Sequence, residues 1–207
     1  MSNLNPIAKI YLNRLIHNFD YIKSHIGTSN ILAVVKANAY GHGIVEISRQ
    51  LQELSVAGLC VATANELLDL RKAKIKVPIL HLGVLNSEIL DLYQSNNNIC
   101  TINSIDDITM IDNLLIKNSE KINCYLKVDT GMGRLGVPYE KFNHIINLIK
   151  NINKINLIGV YSHFSSSDEN GKESIQLQVD RFEEIINLTN SLLSEQQSYH
   201  ISNSAGL

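Results

Sequence analysis

The sequence predicts an α/β fold built as an incomplete (β/α)8 barrel. Short apolar runs typical of buried strands alternate with amphipathic segments typical of helices along all 207 residues, which indicates a parallel sheet covered by helices. Seven strands without an intervening linker favour a closed TIM-type barrel over an open doubly wound sheet. Because such a barrel needs eight strands, we expect this one to be incomplete.

Each predicted strand is a short, mostly apolar run. The seven strands cover Ile31–Lys36, Ala57–Ala62, Val77–Leu82, Ile99–Ile102, Ile122–Val128, Leu157–His163 and Tyr199–Ser202. An earlier strand-like stretch, Ile7–Leu12, precedes a helix whose apolar positions run from Leu15 to Ile26.

The predicted helices between these strands keep apolar residues at helical spacing. They cover Ile44–Leu54, Thr63–Ala73, Ser87–Gln94, Ser104–Ile116, Pro138–Ile149 and Ser174–Leu193. Thr63 with Glu66, and Ser104 with Asp107, have the spacing of capping boxes, and Pro138 suits the first turn of a helix.

Composition excludes several classes of partner. The net charge of −2 comes from 18 basic and 20 acidic residues spread along the chain, so no basic stripe indicates nucleic-acid binding. No apolar run approaches the roughly 20 residues of a membrane-spanning helix, and the first residues lack the features of a signal peptide. We therefore expect a cytoplasmic protein without membrane contact. Cys60, Cys100 and Cys124 lie in apolar stretches without CxxC spacing, which predicts buried free thiols and no metal site.

Residues that carry chemistry follow the ends of the predicted strands. In a parallel β/α barrel these ends meet at one rim, where function is located. The candidates there are Lys36, Tyr40, Leu82, Lys127, Arg134, His163, Asn203 and Ser204.

Lys36 is the most informative of these residues. An isolated lysine at a strand end is commonly a side chain that extends to solvent. A lysine among apolar neighbours and nearby cations loses its proton more readily, and its amine can then bond to an aldehyde cofactor such as pyridoxal phosphate. The Gly41-His42-Gly43 turn and the amides after Asn203 are candidates for binding the phosphate.

Four motifs resemble those of the alanine racemases, in the same order. They are AVVKANAYGHG from Ala33, LKVDTGMGRLGV from Leu126, YSHFSSSDE from Tyr161 and HISNSAG from His200. The first resembles the cofactor-lysine motif nearly residue for residue. The resemblance covers essentially the whole chain.

The resemblance implies roles for the residues that handle the substrate. Lys36 would hold pyridoxal phosphate and then act as base or acid on one face of the alanine Cα. Arg134 would contact the substrate carboxylate and the cofactor phenol oxygen. Lys127 matches a family lysine that is often carbamylated, which would let it orient Arg134. The alternative is an unmodified lysine that pairs with Asp129 or with solvent.

The remaining matched residues would hold the cofactor. His163 would lie beside the ring in a hydrogen-bonded chain, and Leu82 would line the site. Tyr40, Asn203 and Ser204 would bind the phosphate.

Taken over the whole protein, the resemblance implies a homodimeric racemase that interconverts L- and D-alanine and provides D-alanine for cell-wall peptidoglycan. The family also has an eighth strand and a C-terminal β domain that supplies the opposite-face tyrosine. We expect residues 1–207 to be a partial barrel domain without that second domain, and to be inactive alone. The alternatives are a non-catalytic pyridoxal-phosphate-binding barrel protein or an inactive gene remnant, and serine is an alternative substrate.

Overall fold

A computed structural model describes residues 7–95, 97–114, 121–167 and 172–206, and the chain divides into two compact units, one ending at Gly83 and one beginning at Val84. The predicted helix end at Ile116 lies outside the described residues, as do residues 1–6, Leu207 and the motif residues Asp168 and Glu169.

The described part of the first unit alternates strands with helices. Its elements are α1 (Leu12–His25), β1 (Leu32–Val34), α2 (Ile44–Glu53), β2 (Gly58–Val61), α3 (Ala64–Lys72) and β3 (Ile79–His81), with a short helical segment at Lys36–Tyr40. The strands form a parallel sheet in the order β1–β2–β3. Cys60 of β2 lies opposite Val34 and Leu80 in this register.

The core of the first unit explains its sequence pattern. Every residue of β2 and β3 is buried, as expected for parallel strands covered on both faces, and apart from His81 at the end of β3 these strands carry no polar side chain. Helix α2 contributes Ile47 and Leu51 to the core, and α3 contributes Leu67 and Leu70.

The second unit continues the same alternation. Its elements are a 3₁₀ helix (Ser87–Gln94), β4 (Asn98–Ile102), α4 (Ile105–Leu114), β5 (Ile122–Asp129), β6 (Val137–Pro138), a 3₁₀ turn (Tyr139–Lys141), α5 (Phe142–Lys150), β7 (Ile155–Tyr161), α6 (Lys172–Leu192), β8 (Ser198–His200) and a 3₁₀ turn (Ser204–Gly206). The main strands pair in the parallel order β4–β5–β7–β8, and β6 pairs with the end of β5.

Most sequence expectations for the elements are confirmed. All seven predicted strands occur within the described ranges, as β1 to β5, β7 and β8. Both capping boxes form, with the Glu66 and Asp107 amides each 3.2 Å from the hydroxyl oxygens of Thr63 and Ser104. The three cysteines are buried and free. Across the described ranges, no helix combines the length and apolar character needed to span a membrane.

Two predictions at element boundaries are wrong. Ile7–Leu12 is not a strand: α1 begins at Leu12, and the preceding residues are exposed, with Ile7 at 92%. Apolar alternation forms a strand only when burial and a partner edge stabilise it. Pro138 does not start the predicted helix, because it pairs with Asp129 in β6 and its ψ of 137° is extended. Helix α5 begins only at Phe142.

Candidate functional site

Lys36 lies two residues beyond β1, at the start of a strained turn. Ala37, Asn38, Ala39 and Tyr40 all have φ between +51° and +55°, so four consecutive residues other than glycine follow a left-handed helical path. Each such residue costs roughly 1–2 kcal/mol relative to the right-handed conformation. Strained backbone of this kind is concentrated at functional sites. The turn therefore marks Lys36 as the leading candidate for function in the first unit.

Local hydrogen bonds close the turn into helix α2. The amides of Gly41 and Gly43 donate to the Ala37 and Asn38 carbonyls at 3.1 and 3.0 Å, and the Ile44 amide donates to Asn38 Oδ1 at 2.9 Å. Gly41 and Gly43 have φ of +87° and +93°, which favours glycine at both positions. The two glycines of the motif are thus required by the path of the chain.

A distant carboxylate anchors the other end of the turn. Glu66 Oε1 accepts the Ala37 amide at 2.6 Å, and Glu66 Oε2 accepts the amides of Ala62 and Thr63 at 2.9 and 3.1 Å. On the other side of Lys36, the Val35 amide donates to the Cys60 carbonyl at 2.9 Å. Both amides that flank Lys36 are therefore bound to the segment that runs from β2 into α3.

The Cys60 thiol lies within electrostatic range of the Lys36 amine. Burial raises the pKa of Cys60 to about 12, and the Lys36 charge offsets only part of this effect. The thiol therefore stays protonated at neutral pH, and Cys60 serves as an apolar neighbour of Lys36 rather than as a nucleophile.

The other two predicted site residues of the first unit differ in exposure. Tyr40 ends the left-handed turn and its side chain is 60% exposed, so its hydroxyl is available to a ligand. Leu82 follows β3 directly and is half-buried, and its amide donates to the Val61 carbonyl at 2.8 Å.

In the second unit, Lys127 is a buried cation on β5. Its side chain is only 6% exposed, and its Nζ lies 5.7 Å from the centre of the Tyr161 ring on β7. This distance permits a cation–π contact, which lessens the cost of burying the charge.

The loop after β5 is organised by Asp129. Its carboxylate accepts the amides of Gly131, Met132 and Arg134 at 2.8 to 2.9 Å. Burial alone would raise the pKa of Asp129, but hydrogen bonds from these amides and from Gly133 outweigh it, so the pKa is lowered. The backbone of Arg134 is thus fixed while its side chain is exposed. Asp129 was predicted only as an alternative partner of Lys127.

His200 lies in a cluster of rings, and His163 is near enough for its charge to act on it. The His200 ring stacks on Tyr161 at 4.7 Å between centroids and lies 5.6 Å from Tyr125. Burial first, and the charge of His163 second, lower the pKa of His200 to about 4. Its buried Nε2 has no hydrogen-bond partner among the described residues. The motif HISNSAG includes His200, but only Asn203 and Ser204 were singled out from it.

Gln178 of α6 joins two of the loops that carry site residues, and sequence reasoning missed it. Its Nε2 donates to Thr130 Oγ1 and the His163 carbonyl at 3.1 and 3.0 Å, and its Oε1 accepts the Ser165 amide at 3.0 Å. The Thr130 hydroxyl also lies 2.7 Å from that of Ser162. A glutamine inside a long amphipathic helix gives no local sign of such contacts.

Asn203 and Ser204 lie in the short turn after β8. Asn203 Oδ1 accepts the amides of Ala205 and Gly206 at 3.2 and 3.1 Å, and the Ser167 hydroxyl at 2.6 Å. Asn203 is therefore a cap of the Ser204–Gly206 turn, while Ser204 is exposed.

The predicted site residues divide between the units. Lys36, Tyr40 and Leu82 belong to the first unit, where one turn carries Lys36 and Tyr40. Lys127, Arg134, His163, Asn203 and Ser204 belong to the second. There, Lys127 and His163 lie at the same ring cluster through Tyr161 and His200.

Comparisons with known proteins agree with these observations. The family described as "Alanine racemase, N-terminal domain" matches residues 10–207. An alanine racemase from Clostridium kluyveri is 37% identical over 166 residues, which cover 79% of this chain and 42% of that protein. One from Syntrophobacter fumaroxidans is 38% identical over 206 residues, which cover 97% of this chain and 53% of that protein.

A solved structure of alanine racemase from Clostridium difficile 630, in complex with cycloserine, is similar with a TM-score of 0.87 and 31% identity. The match covers 94% of this chain and 54% of that one. It confirms the predicted fold class, an incomplete (β/α)8 barrel. The chain spans about half the length of the curated relatives it matches. The chain belongs to the alanine racemase N-terminal domain family.

Proposed function

We propose that this chain is the cofactor-binding barrel domain of an alanine racemase that uses pyridoxal phosphate. The observation that carries the proposal is the position of Lys36, which lies at the start of a left-handed turn with both flanking amides bound. Within a family of alanine racemases, such a fixed lysine suits covalent attachment of an aldehyde cofactor.

The donor groups present suit the parts of pyridoxal phosphate. An amine at Lys36 matches its aldehyde, and hydroxyls at Tyr40 and Ser204 match its phosphate. The buried Nε2 of His200, which lacks a hydrogen-bond partner among the described residues, supports a polar ligand near these rings. When bound, the cofactor supplies the aldehyde carbon and an aromatic ring that draws electrons away from the Cα–H bond.

Different residues of this chain would move the substrate proton and bind the substrate carboxylate. Lys36 would remove or return a proton at the alanine Cα, and the exposed Arg134 guanidinium would bind the substrate carboxylate through its planar fork. Asp129 would hold the Arg134 backbone in place. A carbamylated Lys127 would orient Arg134, because the modification replaces its positive charge with a negative one.

The remaining predicted residues would hold the cofactor. His163 would lie beside its ring, Leu82 would form an apolar wall, and Asn203 would shape the turn that presents Ser204 to the phosphate. This part of the proposal is supported by the motif matches and by the cap that Asn203 forms.

The proposal extends to the whole protein. It would act in the cytoplasm as a homodimer, with a further β domain, and would provide D-alanine for cell-wall peptidoglycan. Support comes from relatives named alanine racemase and from the small-molecule complex of a similar structure.

Borohydride trapping tests the proposal. The chain is incubated with pyridoxal phosphate, reduced and digested, and the labelled lysine is identified by mass spectrometry. We expect the label on Lys36, loss of that label in Lys36→Arg, and no change in the control Lys72→Arg, whose exposed side chain pairs with Asp69 at the surface. Labelling elsewhere in a folded chain would refute the assignment.

Exchange of the alanine α-proton separates catalysis from mere cofactor binding. In deuterated buffer, the cofactor-loaded chain should exchange the Cα proton of alanine, and Lys36→Arg should not. The control is the same chain extended by a family-type β domain. If neither protein exchanges the proton when loaded with the cofactor, the non-catalytic alternative is favoured.

A further inference from the structure

The backbone around Lys36 depends on a single side chain from another part of the fold. The hydrogen bonds later in the left-handed turn are local: the Ala39 amide donates to the Val35 carbonyl, and the amides of Gly41, His42 and Gly43 donate to carbonyls within the turn. The first amide of the turn, that of Ala37, instead donates to Glu66, which lies 29 residues further along the chain. This contact fixes the residue directly after Lys36.

Glu66 is suited to this role because its own position is fixed. It occupies the third position of the capping box at the start of α3, where its carboxylate also accepts the Ala62 and Thr63 amides. Both carboxylate oxygens are therefore used, one for the helix start and one for Ala37. The Thr63 hydroxyl completes the box by accepting the Glu66 amide.

Only an ionised carboxylate fits this arrangement. Three backbone N–H groups converge on the two oxygens, and none of them can accept a hydrogen bond. A glutamine has one oxygen, so it can serve the helix start or Ala37 but not both, and its NH₂ group would face a donor. Glutamate at position 66 is thus selected by the turn as well as by the helix.

We propose that Glu66 is a positioning residue for Lys36, which sets the direction of the lysine by holding the Ala37 amide. The inference rests on the proposed function, because it gives Lys36 the role of cofactor lysine. Preorganisation of this kind contributes to reactivity by limiting the conformations of the attacking group.

The first test needs no cofactor. In ¹⁵N-labelled chain, the Ala37 amide proton should resonate downfield and exchange slowly, as expected for a short hydrogen bond to a carboxylate. In Glu66→Gln the one remaining oxygen is shared between Ala37 and the helix start, so both properties should be weakened. Thr63→Ala, which removes the other half of the capping box, should retain them. An Ala37 amide that exchanges freely in the parent would overturn the inference.

The second test measures the rate of borohydride-trapped labelling of Lys36 by pyridoxal phosphate. Glu66→Gln should slow labelling about tenfold, as expected for the loss of one hydrogen bond to a charged group. Thr63→Ala, which weakens the same helix start, should react at about the parent's rate. Equal slowing in both variants would show that Glu66 acts only on stability and would refute the positioning role.

Two further outcomes can be distinguished: a Glu66→Gln variant that does not fold, and a parent chain that is not labelled. If Glu66→Gln does not fold, Glu66→Asp keeps a charged residue at the helix start but is too short to reach Ala37, and it should show the same tenfold slowing. If Lys36 of the parent is not labelled at all, the proposed function fails, while the Ala37 amide measurement still decides the role of Glu66.

Discussion

Replacing Gln178 with methionine should destabilise the second unit by about 2–4 kcal/mol, although methionine matches glutamine closely in length. The substitution fills the same space and removes only the amide. Gln178 is 1% exposed, so any effect must come from its hydrogen bonds rather than from a cavity.

The magnitude follows from the partners that Gln178 serves. Thr130 Oγ1 and the His163 carbonyl each lose this donor, although the Thr130 hydroxyl keeps Ser162. A buried polar group deprived of its partner costs about 1–3 kcal/mol. Ser165 is exposed, so water can replace the glutamine oxygen, and this loss adds less than about 1 kcal/mol.

Urea unfolding measures the effect. Circular dichroism and tyrosine fluorescence are suitable probes, because the chain has eight tyrosines and no tryptophan. The matched control is Gln176→Met, two residues away on the same helix, where the exposed side chain donates to Asp180 and to no other group in the part of the chain that the structure describes. The control should change the free energy of unfolding by less than about 0.5 kcal/mol. Equal midpoints for the two variants, with unchanged slopes, would show that the Gln178 contacts do not hold the loops together.

Three other predictions follow from buried or hydrogen-bonded ionisable groups. His200 has a folded-state pKa of about 4 against an ordinary 6.5. The unfolded chain therefore takes up the proton first, and stability should fall by up to about 3 kcal/mol as pH drops from about 6.5 to 4. In urea midpoints measured across pH, His200→Phe should flatten this loss; an unchanged slope would contradict the assignment. Asp129→Asn places an NH₂ group against backbone donors, so it should cost about 1–3 kcal/mol in urea unfolding and speed exchange of the Arg134 amide; parent-like exchange would contradict this. The three buried cysteines should not react with a thiol reagent at pH 8 until the chain is denatured. A thiol that reacts in the folded chain as fast as in the unfolded one would contradict their burial.

Signals that act over a few residues could be predicted from the sequence. The Thr63–Glu66 and Ser104–Asp107 capping boxes depend on residues three apart, and both are present. Parallel strands that are buried on both faces consist of nearly continuous apolar residues. Each strand was therefore visible in the sequence as a short apolar run. The motif around Lys36 is also continuous in the chain, so it could be matched to the family from the sequence; the cofactor role of Lys36 stays a prediction.

Contacts between distant segments could not be predicted in this way. The capping box revealed Glu66, but nothing near it indicates that its second oxygen reaches Ala37. Pro138 suited a helix start by its local preference, and pairing with β5 overrode that preference. Gln178 acts across two loops that are separated from it by 13 to 48 residues.

The left-handed turn also has a consequence in terms of chirality. Ala37 and Ala39 have φ and ψ of 51° and 51°, and 51° and 48°, which mirror the angles of a right-handed helix. These are relaxed angles for a D-amino acid, so D-alanine introduced at either position by chemical synthesis would keep the path of the chain and release roughly 1–2 kcal/mol of strain. Glycine would release the strain too, but it would give the unfolded chain more freedom. The L residues keep the strain in the folded turn, but they restrict the unfolded chain more than glycine would. The turn beside Lys36 therefore has few alternative conformations.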